Sequence, residues 1–154
     1  MVSGGKEEEV FWLFKLLADS PKHHLKSIFD SNFTLVRLLI HFYNSAMLKH
    51  SGEKITYHFE EIGIPDSLWL HKWFITILLL DFPYGSALRI WDNFINQGVI
   101  FLIKFIIVLT KSFEKVILGF DLEGYAKFLK TFYDEISEVD GKNLKTFVNI
   151  EKLI

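Results

Sequence analysis

The sequence has no cysteine, only two arginines and only three prolines. Without cysteine the chain can form neither a disulfide nor a thiolate zinc site, and it has no thiol nucleophile. This composition is typical of a protein from a reducing, intracellular compartment. A net charge of −2 with so few arginines also argues against a nucleic-acid partner, because a nucleic-acid interface needs clustered basic residues.

Long apolar runs and targeting signals are absent as well. The most apolar run, residues 99–109, has eleven residues with Lys104 in its middle, whereas a bilayer span needs about 18–20 apolar residues. Residues 1–6 are followed by three glutamates and lack the basic region and cleavage site of a signal peptide. We therefore expect no transmembrane segment.

The chain is rich in apolar side chains. Its 154 residues are 50% hydrophobic and 16% aromatic, which lies at the upper end for a soluble protein. A chain of this length corresponds to one domain and should bury about 68–70% of the surface that the unfolded chain exposes. We expect part of the apolar surplus to form an interface with another chain.

Apolar residues recur at three- and four-residue steps along most of the sequence, and no stretch alternates as a strand does. The pattern predicts an all-α fold, a multi-helix array of about eight helices. The predicted helical segments are residues 6–18, 33–49, 54–62, 68–82, 84–98, 99–118, 122–133 and 143–150, with a short helical turn at 23–29.

A helical hairpin over residues 68–98 is predicted to form the centre of the fold. Its first arm is apolar on nearly all sides, which is typical of a central helix. Its second arm starts after Pro83 and ends at Gly98, as helices commonly start after proline and end at glycine. Trp69 and Trp73, at helical spacing, are interpreted as core aromatics.

Ordered motifs in and around this hairpin resemble the carboxy-terminal half of the TBC domain, the catalytic module of Rab GTPase-activating proteins. The hairpin residues that carry the resemblance are Trp73, Phe82, Pro83, Arg89, Trp91, Asp92 and Gly98. Residues 8–13 are similar to the family's E-E-x-F-W helix and residues 58–64 to its H-x-x-x-x-G-[IV] element. Residues 99–118 and 120–132 resemble the two helices that follow the W-D motif.

The resemblance covers residues 7–135 and so predicts a TBC-like helical domain with that extent. Residues 1–6 are then an amino-terminal tail, and residues 136–154 a carboxy-terminal helical extension. What the resemblance implies for the fold agrees with the all-α prediction from periodicity.

The residues themselves give little sign of a chemical site. The six histidines never repeat the i, i+4 spacing of a helical metal site, so we predict no metal and no cofactor. Arg89 and Asp92 stand one turn apart and are interpreted as a structural charge pair. Arg37, in the middle of a predicted helix, is expected to point to solvent or to a partner.

The family resemblance implies catalysis by an arginine from an I-x-x-D-x-x-R motif and a glutamine from a Y-x-Q motif. Neither motif occurs in the sequence, and Arg37, Arg89 and Gln97 do not match either one. We therefore expect no catalytic residue here and predict that the chain is not an enzyme.

Two functional hypotheses remain. The first is a non-catalytic interaction or scaffold subunit, derived from a TBC domain, within a larger protein assembly. The alternative is a regulator of a Rab-type small GTPase, either as a fragment of a GTPase-activating protein or as a GTPase-binding module.

The helices over residues 6–18 and 33–49 carry large apolar side chains on more than one face. The candidate partner interface consists of Phe11, Trp12, Phe14, Phe33 and Phe42. Monomeric soluble proteins rarely expose apolar patches beyond a few hundred Å². We therefore expect another protein chain to cover these residues, and the isolated protein to dimerise or aggregate.

Overall fold

The computed structural model describes residues 6–51, 53–65 and 68–129. Across these residues the chain is helical and contains no strand, which confirms the all-α prediction. The predicted segment 143–150 and the end of the predicted helix 122–133 lie outside the described residues. The predicted boundaries at residues 6 and 135 stay predictions.

The helices, numbered along the chain, are α1 Glu7–Asp19, α2 Leu25–Ile28, α3 Thr34–Ser51, α4 Lys54–Glu61, α5 Leu70–Thr76, α6 Tyr84–Gln97, α7 Val99–Ser112, α8 Glu114–Ile117 and α9 at residues 122–129. The bounds of α1, α3, α4 and α6 agree with the sequence prediction within about two residues. None of the described helices is long and apolar enough to cross a membrane.

Local sequence explains several helix ends. Three glutamates stand in the first turn of α1, where the helix dipole favours negative charge. Ser20 adopts an extended conformation before Pro21 and ends that helix. At the start of α9 the Asp121 carboxylate accepts a hydrogen bond from the Gly124 amide at 2.7 Å, which is the bond an amino-terminal helix cap makes.

The centre of the fold is the pair α3 and α7. α3 packs against α2, α4, α5 and α7, and α7 packs against α3, α6 and α8. The Tyr43 hydroxyl on α3 donates a hydrogen bond to Thr110 Oγ1 on α7 at 2.9 Å, and both side chains are buried. α7 also contributes a row of buried apolar residues: Val99, Phe101, Leu102, Phe105, Ile106 and Leu109.

The prediction that the two helical arms of residues 68–98 pair with each other as a central hairpin is wrong. α5 ends at Thr76 because Ile77 and Leu78 adopt left-handed conformations, with φ of 50° and 60°. The two side chains stay buried, and the chain turns back so that Leu79 and Leu80 are exposed. The principal packing of α5 is against α3, and that of α6 is against α7.

The turn after α5 is fastened by a carboxylate. Trp73 Nε1 donates a hydrogen bond to Asp81 Oδ2 at 2.9 Å, and the Lys72 ammonium bonds to the other oxygen of the same carboxylate. The loop therefore returns to α5 before α6 begins, and the predicted helix 68–82 is shortened to seven residues.

The predicted helix 99–118 is also interrupted. Phe113 separates α7 from α8 with a turn conformation, φ −99° and ψ 8°. Its ring packs against Phe128 of α9 at a centroid distance of 5.7 Å. The break thus directs the Phe113 side chain towards α9.

Trp69 lies at the middle of an aromatic cluster and is only 2% exposed. Its ring meets Trp73 edge-to-face at 4.9 Å and Tyr43 at 5.6 Å. Phe59 and Tyr125 complete the cluster at 5.9 and 6.2 Å, so α3, α4, α5 and α9 meet there. The prediction that Trp69 and Trp73 are core aromatics is confirmed.

Candidate functional site

Two of the motif residues, Trp73 and Phe82, belong to the core. Both are buried, and their rings meet at 6.2 Å. Phe82 also packs against Phe105 of α7 at 5.7 Å, so it joins the loop before α6 to the centre of the fold. Pro83 then precedes the first turn of α6 with an extended ψ of 143°.

The motif residues on α6 divide between its inner and outer faces. Arg89 and Asp92 are exposed, and the charge pair proposed for them stays a prediction. Trp91 is half-buried and meets Phe94 edge-to-face at 5.8 Å. Trp91 is therefore less deeply buried than Trp73, which is 5% exposed.

Gly98 joins α6 to α7 with a φ of 78°. The segment after α1 is fastened to this junction, since the Val99 amide donates to the Lys22 carbonyl at 3.2 Å. His23 is buried, and its Nε2 donates to the Ile95 carbonyl at 2.9 Å. Its other ring nitrogen lies 2.8 Å from the Ser20 hydroxyl. These hydrogen bonds hold the segment between α1 and α2 against the α6–α7 junction.

Four residues of the candidate partner interface are on the surface. Phe11, Trp12 and Phe14 on α1 are 59%, 51% and 64% exposed, and Phe42 on α3 is 51% exposed. Phe33 differs, because its left-handed φ of 49° turns its ring onto His71 at 5.1 Å. It is partly buried against the core and does not belong to the exposed set.

Sequence reasoning missed other exposed apolar residues. They include Val10 and Leu16 of α1 and Leu38 and Leu48 of α3. Leu79, Leu80 and Tyr84 are exposed around the loop between α5 and α6. The signal on α1 was present in the sequence, where apolar residues surround the helix. For the loop between α5 and α6, sequence periodicity could not predict which side chains are exposed. The left-handed residues Ile77 and Leu78 determine which side chains turn outward there.

Acid–base and metal chemistry find little support in the described residues. They contain no group of three histidine or acidic side chains that could hold a metal ion. The Arg37 guanidinium is exposed, as expected, and donates to the Asn32 carbonyl at 2.8 Å. Among the described helices, α1 carries the most exposed large apolar side chains.

Comparison with known proteins gives one family. Residues 1–118 match the Rab-GTPase-TBC domain. No solved structure matches the chain.

Curated relatives match most of the chain at moderate identity. The Ecotropic viral integration site 5 protein homolog of Homo sapiens is 28% identical over 147 residues, covering 94% of this chain and 18% of the relative. Rab GTPase-activating protein eat-17 of Caenorhabditis elegans is 25% identical over 143 residues, covering 93% of this chain and 16% of the relative. Rab GTPase-activating protein tbc-11 of the same organism is 27% identical over 125 residues, covering 80% and 13%.

The chain thus spans less than a fifth of the length of these relatives. Two of these relatives are named Rab GTPase-activating proteins, a name that describes a catalytic activity. This finding overturns the prediction that the chain is not an enzyme, because that prediction relied only on motifs that the sequence does not contain.

Proposed function

The chain belongs to the Rab-GTPase-TBC domain family, and on this premise we propose that it regulates a Rab-type small GTPase as part of a GTPase-activating protein. The observation that carries the proposal is the family match over residues 1–118. It confirms the resemblance seen in the motifs, and it favours the GTPase-regulator hypothesis over the scaffold hypothesis.

The fold gives the motif residues a physical role in this proposal. Trp73 and Phe82 join α5 and the following loop to α7, and Gly98 permits the close approach of Lys22 to the α6–α7 junction. These contacts make a rigid helical framework, which a regulator needs in order to hold a GTPase in one orientation. The catalytic gain in GTPase activation comes from positioning and electrostatic stabilisation, so rigidity of the framework matters for rate.

An arginine supplied in trans raises the rate of GTP hydrolysis by about 10³–10⁵-fold, because it stabilises charge on the transferring phosphoryl group. Such an arginine must be exposed to reach the nucleotide. Arg37 and Arg89 are exposed on α3 and α6, but neither stands in the family's arginine motif. We therefore assign the catalytic role to neither arginine. Substitution of each arginine tests this.

The test is binding and single-turnover GTP hydrolysis with a panel of purified Rab proteins. We expect the chain to bind at least one Rab loaded with a non-hydrolysable GTP analogue more tightly than the same Rab loaded with GDP. A small GTPase from outside the Rab group is the matched control and should show no such preference. If no Rab in the panel is bound and no hydrolysis is stimulated, the proposal is wrong.

The arginines are tested in the same assay as Arg37→Lys and Arg89→Lys, which keep the charge but remove the planar, forked donor group. Loss of stimulation with unchanged binding in one variant would assign the catalytic arginine to that residue. If both variants stimulate hydrolysis as the unmodified chain does, neither Arg37 nor Arg89 is the catalytic arginine.

A further inference from the structure

The outward face of α1 carries an ordered stripe of side chains. Glu8, Phe11, Trp12 and Lys15 have the i, i+3, i+4, i+7 spacing that places residues on one side of a helix. All four are exposed. We call these four residues the α1 stripe. The opposite side of the helix packs inward through Leu17, which is buried.

The centre of the α1 stripe is an aromatic pair with a cation beside it. The rings of Phe11 and Trp12 meet edge-to-face at 5.5 Å and an interplanar angle of 76°. Lys15 Nζ lies 5.1 Å from the centre of the Trp12 ring. A large aromatic side chain buries about 150–250 Å² when it is covered, so a partner that covers both rings gains considerable apolar contact.

The order of charges along the α1 stripe indicates which partner fits. When two copies of the stripe lie antiparallel with the aromatic pairs in register, Glu8 of each copy faces Lys15 of the other. In the same register Phe11 of each copy faces Trp12 of the other. A parallel arrangement would instead place Glu8 against Glu8 and Lys15 against Lys15, which is unfavourable. The stripe is therefore complementary to itself in one orientation only.

From this complementarity we propose that α1 pairs antiparallel with α1 of a second copy of the chain, through the α1 stripe. The contact is isologous, with the same residues on both sides of a twofold axis. The flanking Phe14 and Leu16, which are 64% and 70% exposed, widen the apolar contact. The inference goes beyond the proposed function and does not rest on it.

The size of the contact predicts its strength. A helix of 13 residues is about 20 Å long, and one pair of such helices covers less than the roughly 1,600 Å² of a standard stable interface. We therefore expect a weak dimer whose population rises with protein concentration. Sedimentation velocity over a concentration series measures this directly.

Charge exchange tests the antiparallel register. Glu8→Lys and Lys15→Glu each replace two attractive pairs by two repulsive ones, so each variant alone should dimerise at least about tenfold more weakly, or about 1.4 kcal/mol. When the two variants are mixed, a heterodimer again places opposite charges in both positions. We expect the mixture, and the double variant Glu8→Lys/Lys15→Glu, to recover dimerisation. Circular dichroism checks that these exposed substitutions leave the helices intact.

Tyr57→Ser is the matched control for Trp12→Ser, because the two rings are 59% and 51% exposed and Tyr57 lies on α4, outside the candidate partner interface. Trp12→Ser should abolish the dimer, and Tyr57→Ser should leave it unchanged. Equal effects of the two substitutions would mean non-specific association and overturn the proposal. It is also overturned if the unmodified chain stays monomeric at every concentration, or if the mixed charge variants remain monomeric.

Discussion

Gly98 lies so close to Lys22 that a Cβ atom built on Gly98 would be 2.3 Å from the Lys22 carbonyl oxygen. That carbonyl accepts the hydrogen bond from the Val99 amide, so the close approach is part of a bonded contact between the α1–α2 segment and the α6–α7 junction. The φ of 78° at Gly98 is a second, independent requirement for glycine. Glycine is therefore required at position 98 of this chain, because no side chain fits there.

Gly98→Ala should destabilise the fold by about 2–5 kcal/mol. About 1–2 kcal/mol comes from the left-handed backbone, and about 1–3 kcal/mol from forcing an atom into a packed site. Gly85→Ala is the matched control, because Gly85 is in α6 and a Cβ there would meet nothing within 4 Å. It should be neutral or stabilise by up to about 1 kcal/mol, since alanine is the better helix former. Urea denaturation of both variants gives the comparison, and equal midpoints would contradict the close packing at Gly98.

Trp73→Ala and Trp91→Ala should lower the free energy of unfolding by different amounts, although both residues belong to the family motif. Trp73 is 5% exposed, and its removal should cost about 3–5 kcal/mol, the usual range for a buried large aromatic. Trp91 is half-buried, so its removal should cost about 1–2 kcal/mol, because stabilisation scales with the apolar area buried. Tyr84→Ala, at a residue that is 76% exposed, is the surface control and should change stability by less than about 0.5 kcal/mol. A larger loss at Trp91 than at Trp73 would reverse this assignment of the core.

The helix positions were largely predictable from sequence because local physics determines them. The glutamates at the start of α1, Pro21 after it and Gly98 after α6 all act within a few residues of the helix end they define. Periodicity also identified α1 as a helix with apolar residues on several faces, and Phe11 and Trp12 are accordingly exposed. These features require no knowledge of tertiary structure.

The pairing of the helices was not predictable in the same way. Ile77 and Leu78 are bulky residues in left-handed conformations, which sequence statistics do not anticipate, and they redirect the chain after α5. The same mechanism removed Phe33 from the surface, since its own left-handed φ places its ring on His71. The contact between Tyr43 and Thr110 joins residues 67 apart in sequence, and no local pattern indicates it.

Asp81 should matter more for stability than the lysine that it pairs with. Asp81→Ala removes the acceptor of the Trp73 indole, and losing a hydrogen bond to a mostly buried carboxylate costs about 1–3 kcal/mol. Lys72→Ala removes only a half-exposed ion-pair partner and should cost about 0.2–1 kcal/mol. Urea denaturation followed by tryptophan fluorescence measures both. If Lys72→Ala were the more damaging change, the ion pair and not the indole bond would hold the turn after α5.

The ion pair between Asp19 and Lys26 should make the stability of the α1–α2 contact slightly dependent on pH. The hydrogen bond from the Lys26 ammonium, together with its charge, holds the pKa of the Asp19 carboxyl below its usual range. A lowered pKa in the folded state means that this pair stabilises the fold at neutral pH and that the effect is lost as pH falls through the folded-state pKa. Lys26→Gln should raise the pKa of Asp19 towards its ordinary value, as measured by carboxyl carbon shifts in an NMR titration. Lys115→Gln, at an exposed lysine of α8, is the control and should leave the Asp19 titration unchanged.

The bond between Tyr43 and Thr110 should appear as an energetic coupling between α3 and α7. Tyr43→Phe removes the donor and should cost about 0.5–1.5 kcal/mol, and Thr110→Val removes the acceptor. Because the two substitutions delete the same bond, their effects should fall short of additivity by about 0.5–1 kcal/mol in a double-mutant cycle. Ser112→Ala provides the matched control, since the Ser112 hydroxyl bonds to the carbonyl four residues earlier, as Thr110 does, but is exposed. Tyr43→Phe and Ser112→Ala should therefore be additive. If the first cycle were additive as well, the hydroxyl bond would not couple the two helices, and apolar packing alone would hold the centre of the fold.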